Sequence, residues 1–158
     1  MERETFNQQE TFALGLELGR AAKAGDIFCL EGDLGVGKTV FTQGFAAGLG
    51  IAEPVVSPTF TILQEYEEGR LPLYHFDVYR IAEPEEMEEL GYEEFFFGTG
   101  VCLIEWAGLI RELIPPEAYW IRILKDYQKG FSYRKIILPD ILPSGEDAAA
   151  PQDGKEGI

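Results

Sequence analysis

Residues Gly32-Asp33-Leu34-Gly35-Val36-Gly37-Lys38-Thr39 read G-x-x-x-x-G-K-[ST]. No other stretch of the chain restricts the fold as tightly. Such a loop needs a strand before it and a helix after it. Its glycines let successive backbone N–H groups turn inward as an anion nest, and the helix adds its positive N-terminal end. Both flanks are present. Asp26-Ile27-Phe28-Cys29-Leu30-Glu31 is a short apolar run that reads as a buried strand, and Lys38 to about Leu49 carries a helical pattern. With glycine at roughly 7% of residues, a chance match in a chain this long is on the order of one per cent. The motif sets Lys38 toward the β- and γ-phosphates of a nucleoside triphosphate and the Thr39 hydroxyl toward Mg²⁺.

The rest of the chain fits one α/β domain. Its 158 residues suffice for a single core without staples. Asn7 to Lys23 reads as an amphipathic helix, with an Asn7-x-x-Glu10 start and Gly25 as its stop. Thr61–Tyr66 and Leu71–Asp77 flank Glu68-Gly69-Arg70 as a hairpin. Glu83–Leu90 predicts a short acidic helix with Pro84 in its first turn. Val101–Glu105 predicts another buried strand, followed by a short helix around Gly108–Leu113 that Pro115-Pro116 ends. Tyr119–Leu124 and Tyr133–Leu138 read as a late strand pair. Helices and hairpins in this order predict a mixed parallel/antiparallel sheet flanked by helices. The domain is expected over residues 1–142, and Pro143–Ile158 reads as a disordered acidic tail.

Composition excludes several partners. Lys and Arg number 13 against 28 Asp and Glu, a net charge of −15. Such a chain lacks the basic stripe that grips a phosphate backbone, and it is poorly suited to an anionic membrane surface. No stretch reaches the ~18 apolar residues of a membrane span. Cys29 and Cys102 sit inside apolar runs and read as buried hydrophobes without metal-type spacing. The cytoplasm is the expected compartment.

A site for Mg²⁺ and a triphosphate needs an acid beyond Thr39, set at the end of an apolar strand. Two candidates stand there. Asp77 ends Leu73-Tyr74-His75-Phe76, and Glu105 ends Val101-Cys102-Leu103-Ile104. Either can hold Mg²⁺ while the other orients the attacking water, and the residues alone leave the two assignments open. Ser57-Pro58-Thr59-Phe60 lies where P-loop proteins keep a segment that senses the γ-phosphate. His75, the only histidine, has no serine or cysteine partner and reads as a strand residue rather than a general base. Trp106 reads as core or as a contact for nucleotide or partner. The acidic run Glu83 to Glu94 reads as a solvated face, or else as a docking patch for a basic partner.

Four blocks in one order, Gly-Asp-Leu-Gly-Val-Gly-Lys-Thr (32–39), Ser-Pro-Thr-Phe-Thr (57–61), His-Phe-Asp-Val-Tyr-Arg (75–80) and Leu-Ile-Glu-Trp-Ala (103–107), resemble the TsaE (YjeE) family. The resemblance covers about residues 5 to 138. It implies a bacterial ATPase of tRNA threonylcarbamoyladenosine (t6A) biosynthesis. Such a protein works with TsaB and TsaD to modify adenosine 37 of tRNAs that read ANN codons, and meets tRNA only indirectly. It is a weak ATPase alone and a stimulated one in the complex, which it resets between rounds. ATP, ADP after hydrolysis and Mg²⁺ are the implied ligands. Carried over, the phosphate loop falls on Gly35 to Val40, with Gly32 at its start, Lys38 on phosphate and Thr39 on the metal. Asp77 and Glu105 are the strand-end acids, with Glu105 placed at the metal. Ser57-Pro58-Thr59 matches a switch-like segment and Trp106 a functionally sensitive tryptophan. Asn7 and Gly130, with Arg134 after it, match positions near the base and sugar. Val40 replaces a second threonine, and Gly130-Phe131-Ser132-Tyr133-Arg134 weakens a Gly-Arg-Glu-Ala-Arg pattern.

The expected activity is hydrolysis of ATP. The P-loop nest, Lys38 and the metal would neutralise charge developing on the phosphates. Arg80 or Arg134, or a partner's side chain, would supply any further cation. A small-molecule kinase and a nucleotide-gated binding module are the rival readings. A kinase usually carries an arginine-rich lid, and the sequence shows no arginine cluster.

Overall fold

The computed structural model describes residues 1–33 and 35–140. The acidic tail expected over 143–158 lies outside the described residues. Seven strands form one mixed sheet: β1 (Glu2–Thr5), β2 (Ile27–Glu31), β3 (Leu63–Tyr66), β4 (Leu73–Asp77), β5 (Val101–Glu105), β6 (Tyr119–Lys125) and β7 (Arg134–Ile137), in the spatial order β1-β7-β6-β2-β5-β4-β3. The inner four, β6-β2-β5-β4, run parallel, and β7 and β3 pair antiparallel at the flanks. Strands β2 and β5 are apolar on both faces because both faces are covered. β2 is buried except at Glu31, and β5 is buried throughout.

Alternation along these strands splits the core in two. One face carries Phe28, Leu30, Leu73, Val101, Leu103 and Ile121. Against it pack α1 (Gln8–Ala21), through Leu14 and Leu18, and α2 (Lys38–Gly48), through Phe41 and Phe45. Full burial of each phenylalanine contributes about 1.5–3 kcal/mol, which holds α2 against the sheet. The other face carries Ile27, Cys29, Phe76, Cys102 and Ile104. It is covered by α3 (Glu85–Glu89), α4 (Tyr92–Phe96) and a 3-10 helix (Ala107–Leu113). Met87 anchors α3 here while its acids face outward or cap the turn, Glu86 accepting from the N–H groups of Ala82 and Glu83.

Asn7 caps α1, its Oδ1 accepting from the Glu10 N–H at 2.8 Å, and the Glu10 carboxylate accepts from Phe6 N–H at 2.8 Å. Helices α1 and α2 meet without side chains between them. A methyl group on Gly44 would land on the Phe12 carbonyl, and one on Gly19 on the Phe45 carbonyl. The second half of the hairpin starts at Leu73 rather than Leu71. Its first half starts at Leu63 rather than Thr61, because Ile62 turns to φ 69° and its N–H bonds the Pro58 carbonyl at 2.8 Å. The helix expected near 108–113 forms as the 3-10 segment. Strand β1 and helix α4 were not foreseen from the sequence.

Candidate functional site

The loop after β2 enters α2 through Gly37, whose φ of 109° a side chain would resist. Gly35 takes φ 75° for the same turn. Gly32 leaves β2 close to β6, where a Cβ would stand 2.9 Å from the Ile123 carbonyl oxygen. The first N–H groups of α2 have no partner inside the helix and open toward solvent at the C-terminal edge of the parallel strands. Val36 buries its side chain beneath the loop, and its carbonyl accepts from Arg134 Nε at 2.7 Å. Arg134 also donates to the Phe131 and Tyr133 carbonyls, so it ties the β6–β7 connection to the phosphate loop.

Strands β4 and β5 run parallel with Asp77 opposite Glu105 and His75 opposite Leu103. Paired residues of parallel strands share a face, and alternation adds every second residue. His75, Asp77 and Glu105 therefore stand on the face that α2 covers. All three are buried, Asp77 and Glu105 at 4% exposure each. Asp77 Oδ2 accepts from Ser57 Oγ at 3.1 Å and from Thr59 Oγ1 at 3.4 Å, and Oδ1 accepts from the Tyr79 N–H at 3.0 Å. Both of its oxygens are thus engaged. Glu105 Oε2 accepts from His75 Nε2 at 2.7 Å, and its Oε1 takes no hydrogen bond from the described residues. A carboxylate can only accept, so the imidazole carries its proton on Nε2.

Lys38 is the unusual member of the group. It is 5% exposed, and its Nζ finds no hydrogen-bond partner among the described residues. The ammonium lies 4.0 Å from the centre of the Trp106 ring. Burial pushes its pKa below the ordinary 10.5, with Glu105 and then Asp77 pulling the other way. Trp106 itself sits at φ 63°, and its ring packs on Tyr79 with centroids 4.8 Å apart.

These groups line one cleft of about 360 Å³, walled by Gly35, Gly37, Lys38, Thr39, Val40, Ser57, Thr59, Asp77, Tyr79, Glu105 and Trp106. A smaller hollow of about 120 Å³ adjoins it across Gly35, Gly37 and Val40, lined also by Asn7, Phe131, Ser132 and Arg134. The cleft brings Ser57, Thr59, Asp77, Glu105 and Trp106 to the loop. Asn7 and Arg134 line the adjoining hollow. Gly130 does not line it, and the two residues after it do. Pro58 is buried behind the Ser57–Thr59 segment. Arg80 lies outside, its guanidinium 4.7 Å from the ring centre of the exposed Phe60. Tyr79, Phe131 and Ser132 stood inside motif blocks without being singled out as site residues, and the contact between His75 and Glu105 was not foreseen. For His75 the signal was present, since its spacing of two from Asp77 puts both on one strand face.

A glycine loop between the first parallel strand and its helix, two strand-end carboxylates beside it and a buried lysine lining the same cleft define a P-loop protein of the α/β class. The profile of the family described as "Threonylcarbamoyl adenosine biosynthesis protein TsaE" matches residues 5–136. The chain belongs to the TsaE family. It is 56% identical over 119 residues to the tRNA threonylcarbamoyladenosine biosynthesis protein TsaE of Bacillus subtilis, covering 75% of this chain and 74% of that one. It is 44% identical over 139 residues to the TsaE of a Nostoc species, covering 84% and 82% of the two chains. A crystal structure of YdiB from Bacillus subtilis superposes with a TM-score of 0.75 at 44% identity, covering 92% of this chain and 87% of the other. Both α/β class and mixed sheet agree with the sequence expectation. No helix among the described residues is long and apolar enough to cross a membrane.

Proposed function

We propose that this protein is a Mg²⁺-dependent ATPase that serves N6-threonylcarbamoylation of adenosine 37 in tRNAs reading ANN codons, acting in the cytoplasm on a complex of TsaB and TsaD. The observation that carries the ATPase reading is the buried, unpartnered Lys38 ammonium in one cleft with two buried carboxylates and with the first turn of α2, which no side chain caps. A buried cation without an acceptor costs stability, and a phosphate oxygen is the partner it lacks. The family membership supports the place in t6A biosynthesis.

The donor set suits a hard divalent cation. Thr39, Glu105 and Asp77 offer oxygens only, and no cluster of three or more His, Cys, Asp or Glu able to cage a metal exists among the described residues. Such a site completes its shell with water and phosphate oxygens. Thr39 and Glu105, with its free Oε1, would hold Mg²⁺. The ion would supply charge neutralisation at the transferred phosphate. Asp77, both of whose oxygens are occupied, holds Ser57 and Thr59 at the cleft edge, where they meet the γ-phosphate and its attacking water. The backbone of Gly35 to Val40 and the Lys38 ammonium orient the triphosphate and stabilise its developing charge. Asn7, Phe131 and Ser132 line the hollow for the nucleoside. Arg80 and Arg134 are both engaged elsewhere, so turnover is slow until a partner supplies a further cation. The charge of −15 favours docking on a basic partner surface rather than on tRNA.

A nucleotide-gated docking module is the second reading, favoured by the exposed Phe60 and Arg80 immediately beside the Ser57–Thr59 segment. A t6A reconstitution with Glu105→Gln separates the two. Loss of repeated modification rounds with ATP and partner binding intact supports hydrolysis, and full activity supports the gate. Equal t6A yield over many rounds without the protein would remove the proposed role altogether.

A further inference from the structure

We infer that His75 is a positioning residue for Glu105, holding that carboxylate in the orientation that receives Mg²⁺ on its free oxygen. The inference rests on the reading of the cleft as a Mg²⁺–nucleotide site. His75 is 1% exposed and lies one strand step beneath Asp77, on the face shared with Glu105. Its Nε2–H donates to Glu105 Oε2 at 2.7 Å. Its Nδ1 has no partner among the described residues. A histidine kept merely for packing would not leave a ring nitrogen unsatisfied in the core, because a buried polar atom without a partner costs about 1–3 kcal/mol. The ring is fixed by the single bond it makes.

That bond has a directional consequence. Glu105 has three side-chain torsions, and a lone carboxylate at a strand end would sample several rotamers. The hydrogen bond ties Oε2 to His75 and leaves Oε1 without a partner among the described residues, on a side chain that lines the cleft. It engages one carboxylate oxygen and leaves the other available for the cation. Asp77 has a different set of donors, two hydroxyls and a backbone N–H. The two acids are thus held by independent partners and need not act as a symmetric pair. Hydrogen-bond partners of metal-binding side chains typically change metal affinity or activity about 10- to 100-fold when removed.

The test compares His75→Leu, which fills the space without a donor, with His75→Gln, whose amide nitrogen can take the place of Nε2. Binding of ADP and ATP to full-length protein is measured by calorimetry, once with EDTA and once with excess Mg²⁺, beside a thermal melt. We expect the affinity in EDTA to be unchanged in both variants. The Mg²⁺-dependent gain should fall about 10-fold or more in His75→Leu and return in His75→Gln. If His75→Leu does not fold, His75→Asn replaces it, since that amide is too short to reach Glu105 and should show the same loss. Leu (or Asn) and Gln variants with equal Mg²⁺ gains would overturn the inference, as would a drop in EDTA affinity matching the drop with Mg²⁺. If wild-type protein binds no nucleotide under either condition, the reading of the cleft fails first and the inference falls with it.

Discussion

Replacing Lys38 by methionine should make the nucleotide-free protein more stable while abolishing nucleotide binding. Methionine keeps an unbranched stem of similar length and removes the ammonium. The wild-type charge is 5% exposed and unpartnered, and such a group costs about 1–3 kcal/mol in the folded state. Against this stands the contact with the Trp106 ring at 4.0 Å, which contributes about 0.5–2 kcal/mol. The lowered pKa of Lys38 decides the balance, because it says that burial outweighs the attraction of Glu105 and Asp77. The expected net gain is about 1 kcal/mol, or roughly 2–4 °C in melting temperature for a domain of this size. The sign also sets a pH dependence. The folded pKa lies below the unfolded 10.5, so the unfolded chain binds the extra proton and wild-type stability rises with pH. The lysine's destabilising effect is complete below its lowered folded pKa and fades as pH climbs through that value toward 10.5. Urea unfolding of both proteins at neutral and alkaline pH measures this. Saturating nucleotide at about 100 times Kd should add roughly 2.7 kcal/mol to wild type and nothing to the variant. A Lys38→Met protein less stable than wild type by 1 kcal/mol or more (about that size being resolvable) would refute the reasoning, since the lysine would then be stabilising the acids rather than waiting for a phosphate.

Gly44→Ala should destabilise the protein by about 1–3 kcal/mol in urea unfolding, because its methyl meets the Phe12 carbonyl, with an offset of about 1 kcal/mol from better helix propensity. Asn7→Ala should cost about 1 kcal/mol by loss of the α1 cap, read in the same assay. Ser57→Ala combined with Thr59→Val should lower ATP hydrolysis about tenfold or more, read as phosphate release, with ADP affinity unchanged, because the segment loses its tether to Asp77. Both thiols should resist alkylation in native protein at mildly alkaline pH and react after unfolding, since burial pushes Cys102 up to about 12 and Cys29 higher still. Mass spectrometry of the labelled chain checks this.

The central strands were legible because covering both faces of a parallel sheet demands unbroken apolar runs, and Ile27–Leu30 and Val101–Ile104 are such runs. The loop was legible because few residue types can make its turn. Strand β1 was not, since Glu2-Arg3-Glu4-Thr5 is an edge strand with three exposed residues and no alternation to detect. Helix α4 spans five residues, too short for a helical period to show. Its Tyr92 and Phe96 are held by packing on the sheet rather than by local preference. The glycines at 15, 19, 44 and 48 recur at a spacing of four on both facing helices, which is the pattern of a close crossing, yet only the packed helices show that they meet. The residues alone left the parts of Asp77 and Glu105 open, only the family resemblance placed Glu105 at the metal, and the different hydrogen-bond partners of the two acids lay beyond the sequence. Those partners come from distant parts of the chain. Those are Ser57 and Thr59, some twenty residues before Asp77, and His75, thirty residues before Glu105.

Calorimetric titration of the pure protein with ATP and with ADP in the presence of Mg²⁺ tests the central claim most directly. One molecule of nucleotide should bind per chain, and Lys38→Ala should show no binding heat. Absence of binding by wild type, or undiminished binding by Lys38→Ala, would contradict the account.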